Sequence, residues 1–108
     1  MLDDEALLAS GAIVLVNVFT PKAGATDRFI AAQTAEYRRL KGLVEGALGN
    51  RLLRSLDGER VVNIAYFASR EAYDEWRASD LFDDHLGRIR NLVERVEPDL
   101  YSVVYTSN

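Results

Sequence analysis

The chain has 108 residues and a mass of 12.1 kDa, which is the size of one domain. Its formal net charge of −4 argues against nucleic-acid binding, which needs a basic surface, and against docking on an anionic membrane. The lack of cysteine excludes disulfides and thiolate metal sites, and a single histidine argues against a three-ligand zinc site while allowing axial ligation of a haem iron.

The first residues show no sustained hydrophobic period and are acidic where a signal peptide would be basic. We expect a weakly ordered lead-in over residues 1–10, one domain over residues 11–108 and a cytoplasmic location. The apolar run Ala12–Thr20 is too short to cross a bilayer, and its Val and Ile content predicts a buried strand that ends before Pro21. Asn17 is the polar exception within this strand.

A helix is predicted over Ala25–Leu43, with Thr26 or Asp27 as the capping residue. Residues three or four positions apart form its predicted inner stripe: Phe29, Gln33, Tyr37, Leu40 and Val44. Charged residues are assigned to its solvent side: Arg28, Glu36, Arg39 and Lys41.

The next two strands are predicted at Leu48–Leu56 and Arg60–Ala68, around the strong turn signal Asp57-Gly58. Asn63 lies in the second of these strands, where an amide is disfavoured. A buried amide needs hydrogen-bond partners. Asn17 and Asn63 are therefore each either satisfied by the backbone or directed into a cavity.

Two helical segments follow, the first capped by Ser69 and the second by Ser79. The second is predicted to continue to Val96, before Glu97-Pro98, with one apolar stripe that includes the only histidine: Phe82, His85, Leu86, Ile89, Leu92, Val93 and Val96. The last strand is predicted at Leu100–Thr106.

The predicted order is βαββαβ, an α+β, ferredoxin-like arrangement of a four-stranded antiparallel sheet with helices on one face. The second face of the sheet is also predicted to be apolar, with Val14, Val16, Val18, Val62, Ile64 and Tyr66. Such a face needs another layer. We therefore expect a homodimer whose two sheets close into a barrel.

Several side chains of the segment 60–85 are suited to chemistry. His85 is either a base that titrates near neutrality or a core residue bonded to the backbone. Tyr73 and Trp76 lie three residues apart, and either pack in the core or form an aromatic wall with polar donors. Arg88 is either solvated or, within a cleft, a partner for an anionic ligand.

Most of the chain, residues 11 to 106, resembles the antibiotic biosynthesis monooxygenase family. The resemblance is carried by VLVNVFTPKAG, SLDGERVVNIAYFASREAYDEW, FDDH and the closing EPDLYSVVYT. It implies a ferredoxin-like monomer in a dimeric α+β barrel, with a cleft between the helices and the sheet of each subunit.

One branch of this family oxidises aromatic polyketides to quinones with molecular oxygen and without a cofactor. The resemblance implies that an acidic anthrone or phenol is the substrate, and Asn63 and Tyr73 match functional residues of this branch. From this match and the predicted inward-facing side chains together, we expect Asn63, Tyr73 and His85 to be catalytic. The expected substrate-binding residues are Asn17, Phe67, Trp76, Phe82 and Arg88. Phe67 stands where this branch has a tryptophan, and Arg88 lies next to the position of its arginine.

Two other readings remain open at this point. The haem-degrading branch uses an asparagine of the first strand, a helix tryptophan and an iron-binding histidine, and Asn17, Trp76 and His85 occur in that order. In that case haem would be the cofactor, with His85 as its ligand. A barrel that binds a small aromatic ligand without catalysis is the third reading.

Overall fold

The computed structural model describes residues 11–107, so the predicted lead-in over residues 1–10 lies outside the described residues. Within them the elements follow one another in this order: β1 Ile13–Pro21, α1 Thr26–Leu40, β2 Ala47–Arg54, β3 Val61–Phe67, α2 Arg70–Arg77, α3 Asp80–Ile89, a 3-10 helix Arg90–Leu92 and β4 Val93–Ser102. None of the helices in this part of the chain is long and apolar enough to span a membrane.

The strands form one antiparallel four-stranded sheet in the order β2-β3-β1-β4. This confirms the predicted α+β, ferredoxin-like fold. In the register of the two central strands, Leu15 lies opposite Ala65, Asn17 opposite Asn63 and Phe19 opposite Val61. The pairing therefore places the two strand amides side by side at the centre of the sheet.

The last strand begins earlier than predicted. The helix was expected to continue to Val96, but α3 ends at Ile89 and β4 starts at Val93, pairing with the free edge of β1. Unpaired N–H and C=O groups along that edge of β1 favour the sheet over a longer helix. Pro98, expected to precede the strand, lies inside it, which an edge strand tolerates because half of its N–H groups point away from the sheet.

The predicted caps of the two later helices are confirmed. The Ser69 hydroxyl accepts a hydrogen bond from the Ala72 N–H, and the Ser79 hydroxyl accepts one from the Phe82 N–H. The expected cap of α1 is wrong, because the helix starts after Ala25 without a side-chain cap. Thr26 instead donates its hydroxyl hydrogen to the Gly58 carbonyl of the β2–β3 turn, which ties the helix start to the hairpin.

Two clusters of buried residues join the helices to one face of the sheet. The first consists of Leu15, Ala65, Phe67 and Tyr73. The second consists of Phe19, Phe29, Val61 and Ile89. Each large buried side chain contributes about 1.5–3 kcal/mol to folding. Asn17 and Asn63 lie between the two clusters, because they separate Leu15 from Phe19 on β1 and Ala65 from Val61 on β3.

One assignment in α1 is wrong. Glu36 was expected on the solvent side of the helix, but it is buried together with Phe29, Gln33 and Leu40. These four positions form one face of the helix, since they are spaced by four, three and four residues. Burial of the Glu36 charge is possible because Arg39 forms an ion pair with it.

The opposite face of the sheet carries the predicted apolar residues. Val16, Val18, Val62 and Ile64 alternate with the buried helix-facing residues and are only partly buried, and Leu53 is 41% exposed. Neither buried cluster includes a residue of this face. The face is thus an apolar surface without a covering layer from the described residues.

Candidate functional site

A cavity of about 530 Å³ lies between α1, α3 and the helix-facing side of the sheet. It occupies the space between the two buried clusters, where the strands carry amides instead of apolar side chains. Leu15 and Phe19 contribute to its walls from β1, and Ala65 and Phe67 from β3. Two exposed cations, Arg38 and Lys41, lie among its lining residues on the α1 side.

The floor of the cavity consists of amides. Asn17 and Asn63 are cross-strand neighbours on β1 and β3, and Asn50 reaches them from β2. The Asn50 Nδ2 donates a hydrogen bond of 3.0 Å to the Asn63 Oδ1. This bond orients the Asn63 amide, and its Nδ2 is a donor that a ligand can use.

Four buried side-chain atoms lack a hydrogen-bond partner within residues 11–107: Asn17 Oδ1, Gln33 Oε1, Gln33 Nε2 and Tyr37 Oη. All of them belong to residues that line this cavity. A buried polar atom without a partner costs about 1–3 kcal/mol. Their concentration in one cavity makes them the groups that ordered water or a ligand can satisfy there. Burial also raises the pKa of Tyr37, so its hydroxyl is protonated and can donate.

The remaining wall is aromatic. The Trp76 and Phe82 rings meet edge to face with centroids 5.3 Å apart. The His85 ring lies 6.1 Å from Trp76, 6.4 Å from Phe82 and 6.4 Å from Tyr37, and is almost fully buried. Flat apolar surfaces with one imidazole among them suit a planar aromatic ligand that carries an ionisable group.

Behind the imidazole lies the buried carboxylate of Glu36. Its Oε1 is 3.3 Å from the His85 Nδ1, and Arg39 donates two hydrogen bonds to the carboxylate, at 2.7 Å to Oε1 and 3.1 Å to Oε2. Arg88 adds a longer ion pair of 3.7 Å to Oε2. The hydrogen bonds from Arg39 lower the pKa of Glu36 in spite of its burial, so the group is a carboxylate at neutral pH.

His85 is neutral at pH 7. Burial lowers its pKa below the ordinary value of 6.5, and the carboxylate of Glu36 only partly opposes that effect. A neutral imidazole has one N–H and one acceptor nitrogen. The Nδ1 of His85 faces the Glu36 carboxylate, which can only accept a hydrogen bond.

Six of the predicted site residues line the cavity: Asn17, Asn63, Phe67, Trp76, Phe82 and His85. Tyr73 and Arg88 do not line it. Tyr73 packs against Phe67, with ring centroids 5.3 Å apart, and its hydroxyl accepts a hydrogen bond from Arg77. The side chain of Arg88 is 57% exposed, and its contact is with Glu36.

Sequence reasoning did not assign four residues to the site: Gln33, Glu36, Tyr37 and Asn50. Gln33 and Tyr37 were placed on the inner stripe of the helix, and a polar residue at an inner position is itself a signal for a site. Glu36 follows the same stripe. The position of Asn50 in the site depends on the register of β2 against β3, which includes an irregularity between Ala47 and Gly49. Local sequence patterns do not predict that register.

Several solved structures are similar to this chain over most of its length. SnoaB from Streptomyces nogalater, a cofactor-independent oxygenase solved as a variant, is 25% identical, with 89% of this chain and 96% of that chain covered and a TM-score of 0.78. SO0527 from Shewanella oneidensis is 28% identical. The alignment covers 85% of this chain and 90% of SO0527, with a TM-score of 0.72. Rv0793 from Mycobacterium tuberculosis is 21% identical, with 90% and 99% covered and a TM-score of 0.75, and shares the fold.

No curated protein matches the chain. The family profile described as antibiotic biosynthesis monooxygenase matches residues 12–88, which is most of the domain and includes the floor and the aromatic wall of the cavity. The chain belongs to the antibiotic biosynthesis monooxygenase family.

Proposed function

We propose that this protein is a cofactor-independent monooxygenase that oxidises a small aromatic, polyketide-like anthrone or phenol to a quinone. The observation that carries the proposal is the combination, in one cavity, of a neutral imidazole, unpartnered amide groups and flat aromatic walls. SnoaB, which is similar over nearly the whole fold, is a cofactor-independent oxygenase. The two exposed cations among the lining residues favour a substrate with an acidic substituent.

The first step of the proposed reaction is a proton transfer. The Nε2 of His85 takes a proton from the substrate and leaves an aromatic anion, which is electron-rich enough to reduce oxygen. Since burial lowers the pKa of His85 below 6.5, the imidazole is unprotonated at neutral pH and can accept a proton. The acid limb of the kcat/KM profile is therefore expected below that value, with a plateau through neutrality.

The second step is the transfer of electrons to oxygen. The anion combines with molecular oxygen to give a peroxide anion at the reacting carbon, and the His85 imidazolium returns its proton to make the hydroperoxide. Loss of the remaining hydrogen from that carbon, with cleavage of the O–O bond, then leaves one oxygen atom as the new carbonyl and releases the other as water. For an anthrone, the CH₂ group loses its two hydrogen atoms, and the substrate itself supplies all the electrons.

Asn63 is proposed to stabilise the charge that develops on the substrate oxygen. Its amide is oriented by the hydrogen bond from Asn50, and its position on β3 is fixed by pairing with Asn17 on β1. A preoriented donor of this kind contributes about 10²–10³-fold to the rate. Gln33 and Tyr37 lie above the same floor and offer further donors.

Oxygen uptake with a simple anthrone tests this proposal. The wild type is expected to consume one oxygen molecule for each quinone formed, while Asn63→Ala lowers kcat/KM by about 10²-fold and His85→Ala by about 10²–10⁴-fold. Asn91→Ala, an exposed amide in the 3-10 helix, is the matched control and is expected to behave as wild type. Tight binding of acidic phenols and anthrones without any oxygen consumption would refute the proposal and favour the non-catalytic barrel.

Haem binding is a second candidate, because Asn17, Trp76 and His85 line the same cavity. The residues fit the group: the Nδ1 of His85 is engaged by Glu36, so the Nε2 would hold the iron, and Arg38 and Lys41 would meet the haem carboxylates. Bound haem would supply iron for oxygen activation.

A spectroscopic titration separates the two candidates. Haem ligation predicts a shift of the Soret band on adding haem to the wild type, and loss of that shift in His85→Ala. The cofactor-independent proposal predicts an unchanged Soret band in both proteins.

We also propose that the active form is a homodimer. The supporting observation is the apolar face of the sheet that residues 11–107 leave uncovered, where Val16, Val18, Val62 and Ile64 are only partly buried and Leu53 is 41% exposed. A second copy of the same face would complete a barrel.

Light scattering at micromolar concentration is expected to give twice the chain mass of 12.1 kDa. Ile64→Glu, at the centre of this face, is expected to give monomers, because dimerisation would bury its charge. A wild-type particle of one chain mass would contradict the dimer.

A further inference from the structure

The arrangement around Glu36 has no part in the reaction as described above. Glu36 is a carboxylate on the inner face of a helix, 5% exposed, although charged residues are rarely buried without a function or a partner. It accepts two hydrogen bonds from the Arg39 guanidinium, and it faces the one histidine of the chain.

The structure assigns Glu36 as the positioning residue of His85: its carboxylate, held by Arg39, accepts the Nδ1–H and leaves the Nε2 facing the ligand as proton acceptor. The assignment depends on the proposed function for one point only, which is the identity of the ligand that faces Nε2. Its geometric basis is the 3.3 Å approach of Nδ1 to Oε1 and the hydrogen bonds of 2.7 and 3.1 Å that fix the carboxylate. Glu36 acts through the imidazole and does not line the cavity.

The carboxylate of Glu36 determines which nitrogen of His85 carries the proton. A neutral imidazole in an apolar wall can carry its proton on either nitrogen, and only the Nδ1–H tautomer has its lone pair on Nε2. A carboxylate beside Nδ1 selects that tautomer and also stabilises the imidazolium that forms when Nε2 takes a proton. Arg39 keeps the carboxylate ionised, so Glu36 does not itself become the proton acceptor.

The charged and titratable groups around His85 come from two helices. From α1 these are Glu36, Arg39 and Tyr37. From α3 they are Arg88, which is 3.7 Å from the carboxylate, and Asp84, whose charge acts on Arg39. The carboxylate of Glu36 raises the pKa of His85, whereas the guanidinium of Arg39 lowers it. Removing one or the other therefore moves the pKa of His85 in opposite directions, which distinguishes a charge network from simple packing.

The wild-type protein provides the first test, because its single histidine makes the ring nitrogen signals unambiguous in ¹⁵N NMR. At pH 7 the spectrum is expected to show a neutral ring with a protonated Nδ1 and an unprotonated Nε2. A ring protonated on Nε2, or one that exchanges freely between the two tautomers, would overturn the assignment. This measurement needs neither a substrate nor a variant. Its result therefore does not depend on whether the proposed oxygenase activity is correct.

Two variants test the charges. Glu36→Gln is expected to lower the NMR-measured pKa of His85, and Arg39→Gln to raise it, while the exposed control Glu75→Gln leaves it unchanged. With an anthrone, Glu36→Gln is expected to reduce kcat about tenfold or more with little change in KM, and to move the acid limb of the rate profile with the pKa. Equal pKa values of His85 in folded wild type and Glu36→Gln would overturn the assignment. If the pKa of His85 changes in Glu36→Gln but the wild type consumes no oxygen, the assignment of Glu36 is supported and only the proposed oxygenase activity is refuted.

Discussion

The structure depends most on the antiparallel pairing of β1 with β3, which sets Asn17 directly opposite Asn63. The neighbouring pairs on the same face, Leu15 with Ala65 and Phe19 with Val61, are apolar and pack against the helices. Amides cannot continue such packing without leaving polar atoms unpaired. The core is therefore divided into two clusters, and the space between them remains a cavity with a polar floor.

The helices complete this space with complementary chemistry. α1 brings Gln33 and Tyr37, whose polar atoms lack partners among the described residues, while α2 and α3 bring the Trp76 and Phe82 rings. The cavity thus combines apolar surface, which suits the proposed flat aromatic ligand, with polar groups that can orient oxygen atoms of that ligand. A cavity of this kind gives specificity because an analogue without those oxygens leaves the amides unpaired.

Much of this arrangement follows from local patterns. Alternation along the strands, the Asp57-Gly58 turn and the serine caps predict the sheet and the two later helices, and the helical period places His85 on the inner face. The start of β4 was not predictable in the same way, because Val93 and Val96 fit a helical stripe as well as a strand. The free edge of β1 decides between them, and that is a long-range interaction.

The error at Glu36 has a different origin. Its spacing from Phe29, Gln33 and Leu40 places it on the buried face, but its charge argued for solvent. The guanidinium of Arg39, one turn further on, stabilises the carboxylate in place of water. Residue type outweighed periodicity in the prediction for Glu36, whose carboxylate lies beside His85 of the cavity. Gln33, which the helical period had placed on the inner stripe, is fully buried and lines the cavity.

The central claim is that the unpaired polar atoms of the cavity are there to bind the oxygens of an aromatic ligand. Calorimetric titration with a hydroxyanthraquinone and with anthracene, which has the same ring shape without oxygen, measures this directly. The wild type is expected to bind the hydroxyanthraquinone at least about tenfold more tightly, since each buried polar group that anthracene leaves unsatisfied costs about 1–3 kcal/mol. In Gln33→Leu this preference is expected to shrink. Equal or tighter binding of anthracene by the wild type would contradict the account.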